Sequence, residues 1–77
     1  MAKASFYVYF TDENLATAAT ARLEGMGYKV NVTTEDDGRF LAQADKAIRP
    51  HDLDKAEQEM QAIVIDYTGE YDGYSGF

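Results

Sequence analysis

The sequence has no cysteine, no tryptophan, one proline and one histidine in 77 residues. Without cysteine there can be no disulfides and no thiolate metal sites. The lone histidine, His51, cannot assemble a zinc site by itself. Its place between Pro50 and Asp52 marks a loop residue rather than a general base. No apolar run is long enough to cross a membrane. Met1-Ala2-Lys3-Ala4-Ser5 leads straight into an aromatic strand, without the apolar core of a signal peptide. A cytoplasmic protein with no membrane partner is expected. Also missing are a phosphate-binding loop, a Gly-x-Gly-x-x-Gly turn, a His/Cys pair and a Ser-His-Asp set. Carboxylates are plentiful, but no base, nucleophile or metal constellation can be built around them. No enzymatic activity, metal or cofactor is expected.

Positive charge is scarce too. The formal charge is −7, and its distribution is uneven. In residues 1–34, Lys3, Arg22 and Lys29 balance Asp12, Glu13 and Glu24. Residues 35–77 carry the whole −7. Such a surface repels phosphate backbones, which argues against direct nucleic-acid binding, and it attracts a basic protein surface. What the chain does have is aromatic and apolar residues: 45% is hydrophobic, with six tyrosines and four phenylalanines. That supports a packed core rather than disorder. A core of this size is marginal, so self-association as a homodimer is one means of adding stability.

Periodicity defines the elements. In Ala4 to Phe10, Phe6, Val8 and Phe10 share one face of a strand and are assigned to the core. Ser5, Tyr7 and Tyr9 share the other, which puts two tyrosines side by side for a partner or the chain's own tail to cover. Thr11 or Asp12 caps a helix that runs to about Met26. Its expected stripe is Leu15, Ala19, Leu23 and Met26, with Ala18 at the edge and Gly27 left-handed beyond the end. A second strand follows, with Tyr28, Val30 and Val32 inward. Glu35-Asp36-Asp37-Gly38 is a hairpin turn, and Arg39 to about Ala47 returns with Phe40, Ala42 and Ala44 on one face and Leu41, Gln43 and Asp45 on the other. Pro50 opens a second helix with Asp52 as its natural cap. Leu53, Ala56, Met60, Ile63, Val64 and Tyr67 recur at spacings of three and four. Asp54, Lys55, Gln58, Glu59, Gln61 and Asp66 face solvent, Ile65 lies off the stripe, and Gly69 ends the helix.

The order β-α-β-β-α plus a tail defines one α+β domain over residues 1–77. It is a two-layer sandwich of the ferredoxin-like kind, β-α-β-β-α(-β), with a mainly antiparallel sheet and two helices on one face. The third strand is expected between the first two. The tail falls where the ferredoxin-like order has its fourth strand. Dense in aromatics, acids and glycine, it is expected to fold back onto the body, with Tyr71 substantially buried, Tyr74 packed, Asp72 bonding turn amides and Gly73 bending the chain.

Gly69-Glu70-Tyr71-Asp72-Gly73-Tyr74 resembles the Gly-Glu-Tyr-Asp-Gly-Trp ending typical of the RraB family, regulators of ribonuclease E activity. Tyr74 stands where that family usually has tryptophan. Phe6-Tyr7-Val8-Tyr9-Phe10 resembles the family's aromatic first strand, and Leu23 to Val30 its helix end and second strand. The resemblance implies a ferredoxin-like sandwich. Its function would be to bind ribonuclease E and lower its activity towards some transcripts, a ribonuclease inhibitor without catalysis of its own. The contact residues expected for such a regulator are Asp36 and Asp37 at the hairpin, Glu70, Tyr71, Asp72 and Tyr74 in the tail, and Tyr7 and Tyr9 on the first strand. Two other classes compete: a small-molecule-binding or enzymatic ferredoxin-like domain, which needs a concave pocket with converging polar groups, and an acidic nucleic-acid mimic.

Overall fold

β-branched and aromatic residues favour Ala2–Phe10 as the first strand, β1, and the alternation read from sequence holds along its length. A computed structural model describes residues 2–76 of the chain. After β1 come helix α1 (Glu13–Gly25), strands β2 (Lys29–Thr34) and β3 (Phe40–Ile48), helix α2 (Leu53–Tyr67) and strand β4 (Gly69–Ser75). The four strands form one sheet in the order β2-β3-β1-β4. Every neighbouring pair is antiparallel. The third strand does lie between the first two. The tail is a full fourth strand on the other side of β1, which completes the β-α-β-β-α-β order.

Asp12 caps α1 as its sequence position predicts. Its carboxylate accepts from the amides of Asn14 at 2.8 Å and Leu15 at 3.1 Å, two donors that the helix cannot satisfy internally. The hairpin between β2 and β3 closes with Gly38 at φ 87°. The Gly38 amide bonds the Glu35 carbonyl and the Glu35 amide bonds the Arg39 carbonyl. This is a three-residue loop whose left-handed residue must be glycine or pay for a side chain in a crowded conformation.

Both helices cover the face of the sheet that carries Phe6, Val8, Phe10, Ala42 and Ala44, all of them buried. Ala42, Gln43, Ala44 and Asp45 are poor strand formers, yet β3 is central. Its two alanines sit beneath the helix layer with no exposed surface, and their small size lets the helices approach. From α1 come Ala16, Ala19 and Leu23, and from α2 come Ala56, Met60 and Ile63. Ile65 stays outside at 79% exposure. Two phenol-carboxylate bonds tie α2 to opposite edges of the sheet. Tyr28, at the head of β2, donates to Glu59 at 2.7 Å, and Tyr71, in β4, donates to Glu57 at 2.8 Å. Burial, and then the bond to a carboxylate, push both phenols well above the ordinary tyrosine value.

Several local expectations are corrected. Ala16, not Leu15 or Ala18, supplies the first buried position of α1, since the face that reaches the sheet runs through Ala16, Ala19 and Leu23 at spacings of three and four. Val32 is 43% exposed, since β2 is an edge strand that α1 does not fully cover. Asp52 precedes α2 but makes no capping bond. A single 3-10 turn over Pro50–Asp52, in which His51 is exposed, already gives it helical angles. Glu59 lies half-buried against Tyr28 rather than on the solvent face.

Thr68, at φ 54° and ψ 53°, takes the left-handed position at the end of α2. Gly69 is needed for another reason. A Cβ there would lie 2.8 Å from the Phe10 ring and 3.1 Å from the Tyr9 carbonyl. Phe10 is 1% exposed and cannot move aside freely. Gly69→Ala is therefore expected to destabilise the fold by about 1–3 kcal/mol, the range for overpacking, as a lower urea midpoint with an unchanged slope.

Candidate functional site

With both helices on one side, the other face of the sheet has no layer over it. Alternation and register fix what it presents. Tyr9 stands between Leu41 and Glu70, Tyr7 stands opposite Gln43, and Ser5 opposite Asp45. β2 continues the rows with Thr33 beside Leu41, Asn31 beside Gln43 and Lys29 beside Asp45. Tyr7, Tyr9, Leu41 and Gln43 are half-buried, although nothing packs above them. The middle of the face is thus a row of aromatic and aliphatic surface rimmed by polar residues.

The interactions across this face hold it rigid. The hydroxyls of Tyr7 and Ser75 share a hydrogen bond of 2.8 Å, which ties the end of β4 to β1. The Arg39 guanidinium lies 4.2 Å from the centre of the Tyr9 ring. The same side chain donates from Nε to the Asp37 carboxylate at 2.6 Å, and the Arg39 amide donates to it at 3.0 Å. That backbone bond, followed by the side-chain bond, holds the Asp37 carboxyl below its ordinary value. Glu70 is near enough to act electrostatically on Arg39. Asp37, Arg39, Tyr9 and Glu70 therefore form one corner, where the hairpin and the fourth strand meet.

The opposite end holds Asp45, a carboxylate that is only 7% exposed. It accepts from the Ser5 hydroxyl at 2.6 Å and from Gln43 Nε2 at 3.1 Å, and Lys3 Nζ lies 3.6 Å away. Burial pushes this carboxyl up, but the bonds from Ser5 and Gln43 and the charge of Lys3 outweigh it and leave the group below its ordinary value. A folded value below the unfolded one gives stability that is complete above the unfolded value, about 3.9, and is lost as pH falls through the folded one. Asp45→Asn should remove this contribution. Urea titrations at pH 7 and pH 3 should show a smaller loss of stability on acidification in the variant than in the wild type.

Of the expected contact residues, the structure brings Tyr7, Tyr9, Asp37 and Glu70 to this face. Asp36 is exposed at the tip of the hairpin. Asp72 is exposed at a bulge opposite Tyr7, and Gly73 there has φ 100°. The Asp72 carboxylate makes no hydrogen bond with the described residues, so the expected bonds to turn amides are absent. Tyr71 and Tyr74 point to the helix side, paired with Val8 and Phe6. Tyr71 packs against the core with only a minority of its surface exposed, as expected, and its hydroxyl is committed to Glu57. Tyr74 lies with its ring 6.2 Å from that of Phe6 and stays 42% exposed.

Strand alternation alone puts Leu41, Gln43 and Asp45 on this side of β3, but it gives neither them nor Arg39 a role in the site. The signal was present for Arg39, a base two residues after Asp37 that shares its parity with Leu41. Nothing in the sequence marked Asp45 as buried.

This architecture defines a class: a small α+β sandwich with one uncovered sheet face carrying aromatic residues. Among the described residues no cluster of three or more His, Cys, Asp or Glu could hold a metal, and no helix is long and apolar enough to cross a membrane. The chain belongs to the RraB family, regulator of ribonuclease activity B, whose family model matches residues 2–75. No curated protein sequence matches it.

Proposed function

We propose that this protein is a non-catalytic regulator that binds a ribonuclease through the uncovered face of its sheet, ribonuclease E being the enzyme that the family resemblance implies. The observation that carries this reading is the face itself. Tyr7 and Tyr9 stand on the central strand, held by Ser75 and Arg39, with Leu41 beside them and no layer above. Rigid tyrosines lose little entropy on binding and are common anchors in interfaces. The acids at the corner, Glu70 and the exposed Asp36, belong to the acidic half of the chain and favour a basic patch on the enzyme. Asp37 contributes indirectly, by holding Arg39 against Tyr9.

Charge of this kind acts mainly on the rate of encounter. Asp36→Asn with Glu70→Gln should slow association with the purified ribonuclease about two- to tenfold at low salt and much less at high salt, where the charges are screened. Surface plasmon resonance across ionic strength reads this directly. Rates indifferent to both salt and substitution would remove the electrostatic component. Hydrolysis of RNA by the protein alone would remove the non-catalytic one.

A further inference from the structure

The two edges of the sheet differ. β4 carries Glu70 and Asp72, and its pairing with β1 is interrupted by a bulge at Gly73. Charges and bulges are means by which an edge strand avoids further pairing. β2 has neither a bulge nor a proline, and its one charged residue is Lys29. Asn31, Val32, Thr33 and Thr34 are all exposed in succession. Beside them α1 leaves a groove of about 350 Å³, lined by Ala16, Thr17, Ala21, Val32 and Phe40 among others.

The hairpin fixes which backbone groups of β2 are free. The Glu35 amide bonds the carbonyl of its direct partner, Arg39. Pairs in an antiparallel ladder alternate, so Lys29, Asn31, Thr33 and Glu35 direct their amides and carbonyls to β3. Those of Val30, Val32 and Thr34 face outward. An antiparallel copy of β2 centred on Val32 meets all of them at once. Val32 pairs with Val32 of the second copy, and Val30 with Thr34 on either side. In the same register Lys29 of each copy faces Glu35 of the other. Neither residue makes an ion pair within the described residues. An edge with a cation at one end and an anion at the other is matched, antiparallel, by itself.

We propose that β2 pairs with β2 of a second copy of this chain about a two-fold axis at Val32, joining the two sheets into one of eight strands. Val32 then packs on its own symmetry mate, and the groove beside α1 closes against the second copy. The contact is small and each copy carries −7, so the dimer is weak, with a dissociation constant on the order of 100 µM.

Sedimentation velocity of the full chain from about 10 µM to about 1 mM tests the proposal, since that range brackets such a constant. The wild type should pass reversibly from monomer to dimer. Val32→Pro removes one outward amide and no inward bond, and should be monomeric throughout. Lys29→Glu replaces two opposite-charge pairs by two like-charge pairs and should weaken the dimer roughly tenfold. Adding Glu35→Lys to Lys29→Glu should restore it, which no unfolding artefact can mimic. A wild type monomeric at every concentration overturns the proposal. So does a dimer that Lys29→Glu leaves unchanged, or one that the double reversal fails to restore. The β2 edge is separate from the tyrosine face, so a monomeric variant that still binds the ribonuclease leaves the regulatory reading intact.

Discussion

Phe6→Ala is expected to cost about 3–5 kcal/mol, enough to consume most of the stability of so small a domain. Phe6 is fully buried on the central strand β1. Its ring meets that of Tyr28 edge-on at a centroid distance of 6.0 Å and has Tyr74 beside it at 6.2 Å. Truncation would open a cavity between the sheet and the helices and leave both tyrosines without their neighbour. The surroundings can collapse only in part, because the flanking residues of β3, Ala42 and Ala44, are too small to fill the space. Chemical denaturation should show a variant partly unfolded without denaturant at room temperature. A loss below about 1 kcal/mol would mean that the β1 core is not packed as described.

The fold was legible because two periodicities were clean. The strand period in Phe6, Val8 and Phe10 and the helix period from Ala56 to Ile63 each chose a single face, and the Asp37-Gly38 turn linked two strands of the correct parity. What was hidden depended on tertiary neighbours. Val32 has the same parity as Val30, but it lines the groove that α1 leaves open along the edge strand and is less buried. Gly69 looked like a helix terminator, whereas its small size serves the ring of Phe10 and Thr68 makes the left-handed turn. Only part of the site could be read. Tyr7 and Tyr9 follow from alternation alone. That Asp37 and Glu70, far apart in the chain, share Arg39 and Tyr9 as neighbours requires the sheet order, and β4 had first to be recognised as a strand.

The second large effect concerns binding. Tyr7→Ala together with Tyr9→Ala should weaken association with the ribonuclease at least thirtyfold, roughly 2 kcal/mol, the lower bound for the central residues of an interface. The two rings form the middle of the uncovered face, where a partner would exclude water most completely. Their loss should be tolerated by the fold, because both lie on the side of β1 away from the core, and circular dichroism should retain the wild-type spectrum. Tyr9→Phe should retain most of the affinity, since it keeps the ring that Arg39 covers. This distinguishes an aromatic anchor from a hydroxyl contact.

Binding through the uncovered face can be read directly by mapping the partner's footprint on the isotopically labelled full chain with amide chemical shifts as purified ribonuclease is added. Perturbations should gather on Tyr7, Tyr9, Leu41 and Gln43, with Arg39 and Glu70 at their margin, while the outward faces of α1 and α2 stay still. Perturbations confined to the helices, or none at saturating enzyme, would contradict binding through this face.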